Sequence, residues 1–176
     1  MFRRALRLSA VPASLAVLLL AACSQPSAPS QATRPTISDE QMLSSIRAAG
    51  EKEKSVIDVN PLRDPGVAAL QDSAEGDVRA GKYSDAASKL DQAIKISPSS
   101  PDLLQDRAEV AIRLKDYANA EQLAHRSWDL GPKLGPLCAR NWQTISELRR
   151  HAGDDAGAAN ASKSVAQCHV EGMQRY

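Results

Sequence analysis

The chain has 176 residues and is nearly charge-balanced, with 22 Lys and Arg against 21 Asp and Glu and only 3% aromatic residues. That balance lacks the basic footprint of a nucleic-acid-binding protein and the polybasic patch that holds a protein on lipid headgroups. The length fits one domain of ordinary size plus a targeting segment.

The segment comes first. Residues 1–10 carry Arg3, Arg4 and Arg7 without an acid, and residues 11–22, "VPASLAVLLLAA", are uncharged and apolar. A basic start followed by so short an apolar run reads as a signal peptide over 1–22, not a membrane span. Its end, Leu20-Ala21-Ala22-Cys23, resembles the bacterial lipobox. The resemblance implies cleavage before Cys23, a diacylglycerol thioether on its sulfur and an acyl chain of the palmitate type on its amine. Two or three chains hold a protein stably, whereas one anchors only marginally. Ser24, where an inner-membrane signal would place Asp, implies the outer membrane, facing the periplasm. The competing reading is an ordinary signal peptide with a coincidental cysteine. Loss of residues 1–22 leaves 19 basic against 21 acidic residues, a formal charge of −2.

Residues 23–36 are Pro-, Ser- and Gln-rich beyond the cysteine and read as a flexible tether, reaching about 40 Å at ~3.1 Å per residue. The stretch 37–66 is expected to hold one helix and an extended connection. Ser38 and Gln41 form a capping box ahead of Met42, Leu43 and Ile46, which predicts an amphipathic helix over about 39–49 that stops near Gly50. Two prolines and a β-branched run make 55–66 an extended connection, and Asp64-Pro65 supplies an N-cap and a first-turn proline for the next helix.

From there the sequence repeats itself. Leu70, Ala74, Tyr83, Ala86 and Pro98 are answered 34 residues later by Leu104, Ala108, Tyr117, Ala120 and Pro132. Small residues at such positions let paired helices approach closely, tyrosines fill the gap between them, and prolines end the second helix. This period and these residue types resemble the tetratricopeptide repeat, a helix-turn-helix unit. With four residues inserted near "GPKLGPL", Trp142, Ile145, Gly153, Ala158 and Val165 fall on that family's Trp, Leu, Gly, Ala and Ala positions, and Asp155 stands in place of the turn tyrosine. The expectation is an all-α, short solenoid of about three helical hairpins over 67–172, the last hairpin running roughly 137–151 and 155–169. Such arrays need covered ends, and the 39–49 helix is expected to cover the first unit.

Cys138 and Cys168 each lie fifteen residues from Gly153, at the open end of that third hairpin. In an oxidising compartment a disulfide would clip it, for roughly 3–4 kcal/mol by loop entropy. The alternative is two unpaired buried thiols. Cys168 and His169 point about 100° apart on a helix and lack further ligands, so no metal or other cofactor is expected.

The resemblance implies that the first helix of each unit lines a concave groove for protein partners. Gln71, Glu75 and Arg79 stand on one face of the first such helix. Gln105, Glu109 and Arg113 repeat them, and Gln143, Glu147 and Arg150 (with His151) repeat them again. Two readings stay open. These rows form a polar groove for an extended peptide, or Glu and Arg at i, i+4 merely stabilise exposed helices. The Lys and Asn with which relatives clamp a C-terminal carboxylate are missing from this face. Trp142 matches a core position, and Trp128 either packs on the third unit or offers a docking handle.

No nucleophile, phosphate loop, zinc motif or catalytic carboxylate pair is recognisable, so an enzyme is not expected. The functional expectation is a lipid-anchored periplasmic adaptor for protein partners in the bacterial envelope, with self-association through an uncovered end. A pilotin-like assembly factor for a secretion or pilus system is the first alternative. A small-ligand carrier or an enzyme of unknown type is the second.

Overall fold

A computed structural model describes residues 37–53 and 63–169, so Cys23, the signal peptide, the tether and most of the expected 55–66 connection lie outside the described residues. The described residues are all-helical, with seven helices: α1 (Asp39–Lys52), α2 (Pro65–Arg79), α3 (Tyr83–Ile96), α4 (Pro101–Arg113), α5 (Tyr117–Leu130), α6 (Pro136–His151) and α7 (Asp155–Gln167). Six of them pair as the hairpins α2/α3, α4/α5 and α6/α7, the tetratricopeptide architecture.

Local chemistry sets the boundaries. The Ser38 hydroxyl accepts from the Gln41 amide while the Gln41 side chain accepts from the Ser38 amide, closing the capping box of α1. Asp64 accepts from the amides of Gly66 and Val67 ahead of Pro65, and Asp116 and Asp154 cap α5 and α7. Pro101 and Pro136 occupy the first position of α4 and α6, where the missing N–H costs nothing. The three hairpin turns are one turn used three times. Gly81, Lys115 and Gly153 take positive φ (73°, 60° and 82°), and the next amide reaches back to the carbonyl of Asp77, Ala111 or Arg149 at 2.8–2.9 Å.

The repeat's small residues lie where helices touch. Ala74, Ala86, Ala108, Ala120 and Ala158 are all buried. Val67, Leu90 and Leu103 build the core of the first hairpin and its junction with the second. Ile145, with Ala108, Ala124 and Ala161, builds the junction of the second and third. Ser127, in place of a small apolar residue, is satisfied by donating to the Pro101 carbonyl at 2.6 Å.

Cys138 and Cys168 are joined in a disulfide between the start of α6 and the end of α7, their Cα atoms 5.6 Å apart. Trp128 packs beside this bridge and edge-on against Trp142, ring centres 5.1 Å apart, with the Lys133 ammonium over its ring at 3.9 Å.

Helix α1 departs from expectation in two ways. It does not cover the first unit. It lies against α6 of the third hairpin and touches α4, because Met42, Leu43 and Ile46 pack into one cluster with Ile112 and Leu148. Nor does it stop at Gly50. That glycine is buried inside the helix, and a Cβ there would lie 2.7 Å from Cγ of Arg140. The missing side chain is what lets α1 and α6 approach so closely.

Candidate functional site

The first helices of the hairpins, α2, α4 and α6, share one face of the solenoid, and their glutamines tie them together. Gln71 Nε2 donates to Asp106 across α2 and α4 at 2.7 Å, and Gln105 Nε2 donates to Thr144 across α4 and α6 at 2.9 Å. Asp106 and Thr144 are themselves repeat-equivalent positions, so this is one interhelical bond made twice. The glutamine row is therefore an internal strut, with Gln71 and Gln105 both buried.

Helix α1 covers the α6 side of this face. It runs antiparallel to α6: Gly50 meets Arg140 near the start of α6, while Asp39 accepts from the Tyr117 hydroxyl at 2.9 Å beside the far end. The Tyr117 ring packs against His151 at a tilt of 49°, centres 4.4 Å apart, and desolvation followed by the Asp39 carboxylate pushes its phenol pKa upward. Two ion pairs fix the register of α1 on α4. Arg47 donates to Glu109 at 3.3 Å, and Glu40 pairs with Arg113.

The α2 side is open. A cleft of about 530 Å³ lies there, with α1 as one wall. Val78 and Val110 line its floor, and Glu75, Arg79, Glu109 and Arg113 line its sides. Glu75 and Arg79 pair only loosely, at 3.7 Å, with side chains 58% and 72% exposed. Of the nine residues expected to form the groove, Gln71, Glu75, Arg79, Glu109 and Arg113 meet around this cleft. Gln105 lies buried between α4 and α6. Gln143, Glu147 and Arg150 form their own chain, Gln143 and Arg150 each donating to Glu147 at 2.7 Å.

Sequence reasoning missed the group that holds the cleft's end. Arg140 donates to Asp106 at 3.0 Å and to Glu109 at 2.5 Å and 3.0 Å, and so bridges α6 to α4. Desolvation is the largest single influence on its pKa and pulls it down, but Glu109 and Asp106 together outweigh it and push the value upward. Asp106 is pushed upward as well, because burial among the helices outweighs the attraction of Arg140. Arg140 stands where the other two repeats have Ala68 and Asp102, so no periodic signal pointed to it. The charges around the cleft nearly cancel, and its groups offer both donors and acceptors. Such a surface suits a polar or amphipathic protein segment rather than a single ion. Among the described residues no His, Cys, Asp and Glu cluster is arranged to hold a metal, and no helix is long and apolar enough to cross a membrane.

A sequence model of the tetratricopeptide repeat matches residues 77–136. Among solved structures, the chain is similar to the globular C-terminal domain of LpoP from P. aeruginosa. The two are 32% identical with a TM-score of 0.56, over 60% of this chain and 99% of that one. No curated protein matches the sequence.

Proposed function

Because the chain belongs to the tetratricopeptide repeat family, together with the LpoP C-terminal domain, we propose that it is a lipid-anchored adaptor of the bacterial envelope. It holds a short solenoid off the outer membrane, on the periplasmic side, and engages a protein partner through the open side of its groove. The observation that carries this reading is the cleft beside α2, where Glu75 and Arg79 stand exposed and loosely paired. Elsewhere on the same face the equivalent charges are already engaged by α1 or by each other. The lipobox resemblance at Leu20–Cys23 supplies the anchor, and the tether supplies the reach.

The test is in-cell photocrosslinking with a photoreactive residue at Arg79, and at Gln122 on exposed α5 as a control. A specific envelope protein captured from Arg79 and not from Gln122 is the expected outcome. Capture from Gln122 alone would move the partner off the groove. Capture from neither would remove the adaptor reading. In the same cells Cys23→Ser should stall processing or release the protein from membranes, and unchanged fractionation would remove the anchor.

A further inference from the structure

The groove holds one helix already, and the repeat shows where a second would sit. Helix α1 rests on Ile112 of α4 and Leu148 of α6, gives Arg47 to Glu109 and Glu40 to Arg113, and sends Asp39 to Tyr117. Shifting each of these contacts back by one repeat leads to Val78, Val110, Glu75, Arg79 and Tyr83. Four of the five line the open cleft, and Tyr83 is only partly buried beside it, under the Arg113 guanidinium at 5.5 Å. The apolar floor, the charge pair and the tyrosine that receive α1 are thus present a second time, one repeat earlier, and no helix among the described residues lies over them; the Arg140 stem that meets Gly50 is the feature that does not recur, Asp102 standing at its place.

We infer that the cleft receives an amphipathic helix from the partner, docked beside α1 and parallel to it, with α1's own charge pattern. The partner carries an acid to face Arg79 and an Arg or Lys seven residues later to face Glu75, as Glu40 and Arg47 do on α1. Between them lie apolar residues on one stripe. Because Val78 and Val110 are smaller than Ile112 and Leu148, that stripe has room for bulkier side chains than Met42 or Ile46. A helix satisfies its own backbone, so the groove needs to supply only apolar floor and end charges, which is what it has. An extended peptide would want a row of backbone partners, but the glutamines that could supply them are tied between helices. A second copy of this chain is the less fitting occupant, since its α1 is already seated at home.

This inference rests on the adaptor reading but is tested separately from it. The probe is a synthetic peptide of residues 37–53, with Ser44→Ala and Ser45→Ala on its exposed side to favour the helix. Its binding to the full chain in detergent micelles is followed by fluorescence anisotropy. Saturable binding is expected, weakened about tenfold or more by the double swap Glu75→Arg and Arg79→Glu. A peptide carrying Glu40→Arg and Arg47→Glu should recover that loss on the swapped protein. Both swapped side chains are more than half exposed, so an unchanged thermal midpoint confirms that the fold survives. No binding, or binding indifferent to the swap (the peptide exchanging with α1 on Glu109 and Arg113), overturns the inference. If crosslinking from Arg79 captures a partner while the peptide fails, the adaptor stands and the helical register falls. If both fail, both fall.

Discussion

The two ends of one groove carry the same residues and do different things with them. On α4, Glu109 and Arg113 are occupied: α1 lies over them, Arg140 reaches in from α6, and Glu109 is almost wholly buried. On α2, Glu75 and Arg79 occupy the same repeat positions and face water. The charges themselves do not decide between strut and binding surface. What lies above them does, and here that is a helix from the other side of the sequence. The covered end is also the braced end, with the Cys138–Cys168 bridge, the Trp128–Trp142 contact and the Arg140 network all gathered in or against the third hairpin. The first hairpin relies on its apolar core and on half-buried ion pairs such as Lys89–Asp77.

The largest effect that would break this contrast is loss of the bridge. Cys138 and Cys168 are 30 residues apart in sequence, and closing such a loop in the unfolded chain is worth roughly 3–4 kcal/mol. The double change to Ala should lower unfolding free energy by about that amount in urea titration. Hydrogen exchange should locate the loss in α6 and α7 and leave α2 and α3 nearly as protected as before. Uniform loss of protection would mean that the solenoid unfolds as one unit and that its ends are not separately stable.

Next in size is Ile46→Ala. Ile46 is fully buried with Ile112 and Leu148, and deleting its outer carbons costs about 3 kcal/mol where the site cannot collapse. Helix α1 has another option, however: it can lift off. If docking is weaker than that cost, the global unfolding free energy falls by less, and α1 amides exchange first. The variant then exposes Ile112 and Leu148 and makes the covered end resemble the open one. A full loss with no selective exchange of α1 would show instead that α1 is part of the core.

How much of this was legible beforehand follows from what each signal encodes. The hairpins were readable because Ala74, Tyr83 and Ala86 recur at a fixed step, and packing of like units demands like residues at like places. The place of α1 was not. Its apolar stripe says that Met42, Leu43 and Ile46 are buried, but a stripe does not name its partner, and the receiving residues lie more than 60 positions further on. Gly50 misled for a related reason: a glycine near a helix end reads as a stop, and only the Arg140 stem against it shows that it is a contact. The charge rows were visible as rows. Their unequal exposure depends on α1 and so could not be seen in them.

The smallest effect sharpens the comparison at the turns. Gly81 and Gly153 take the left-handed conformation freely, while Lys115 takes the same one with a side chain, at φ 60°. A non-glycine residue there costs roughly 1–2 kcal/mol against the right-handed form. Replacing it by Gly relieves that strain but loosens the unfolded chain, which returns about 0.4–1 kcal/mol. Lys115→Gly should therefore stabilise the middle hairpin by a net ~0.5 kcal/mol, read as a small rise in the urea midpoint at unchanged slope. The Lys115 side chain is exposed and the turn's backbone bonds, from Lys115 to Ile112 and from Asp116 to Ala111, do not involve it. Nothing else should therefore be lost. A fall in stability instead would mean that the lysine makes a favourable contact at the surface, and that the middle turn differs from its two neighbours in more than its strain.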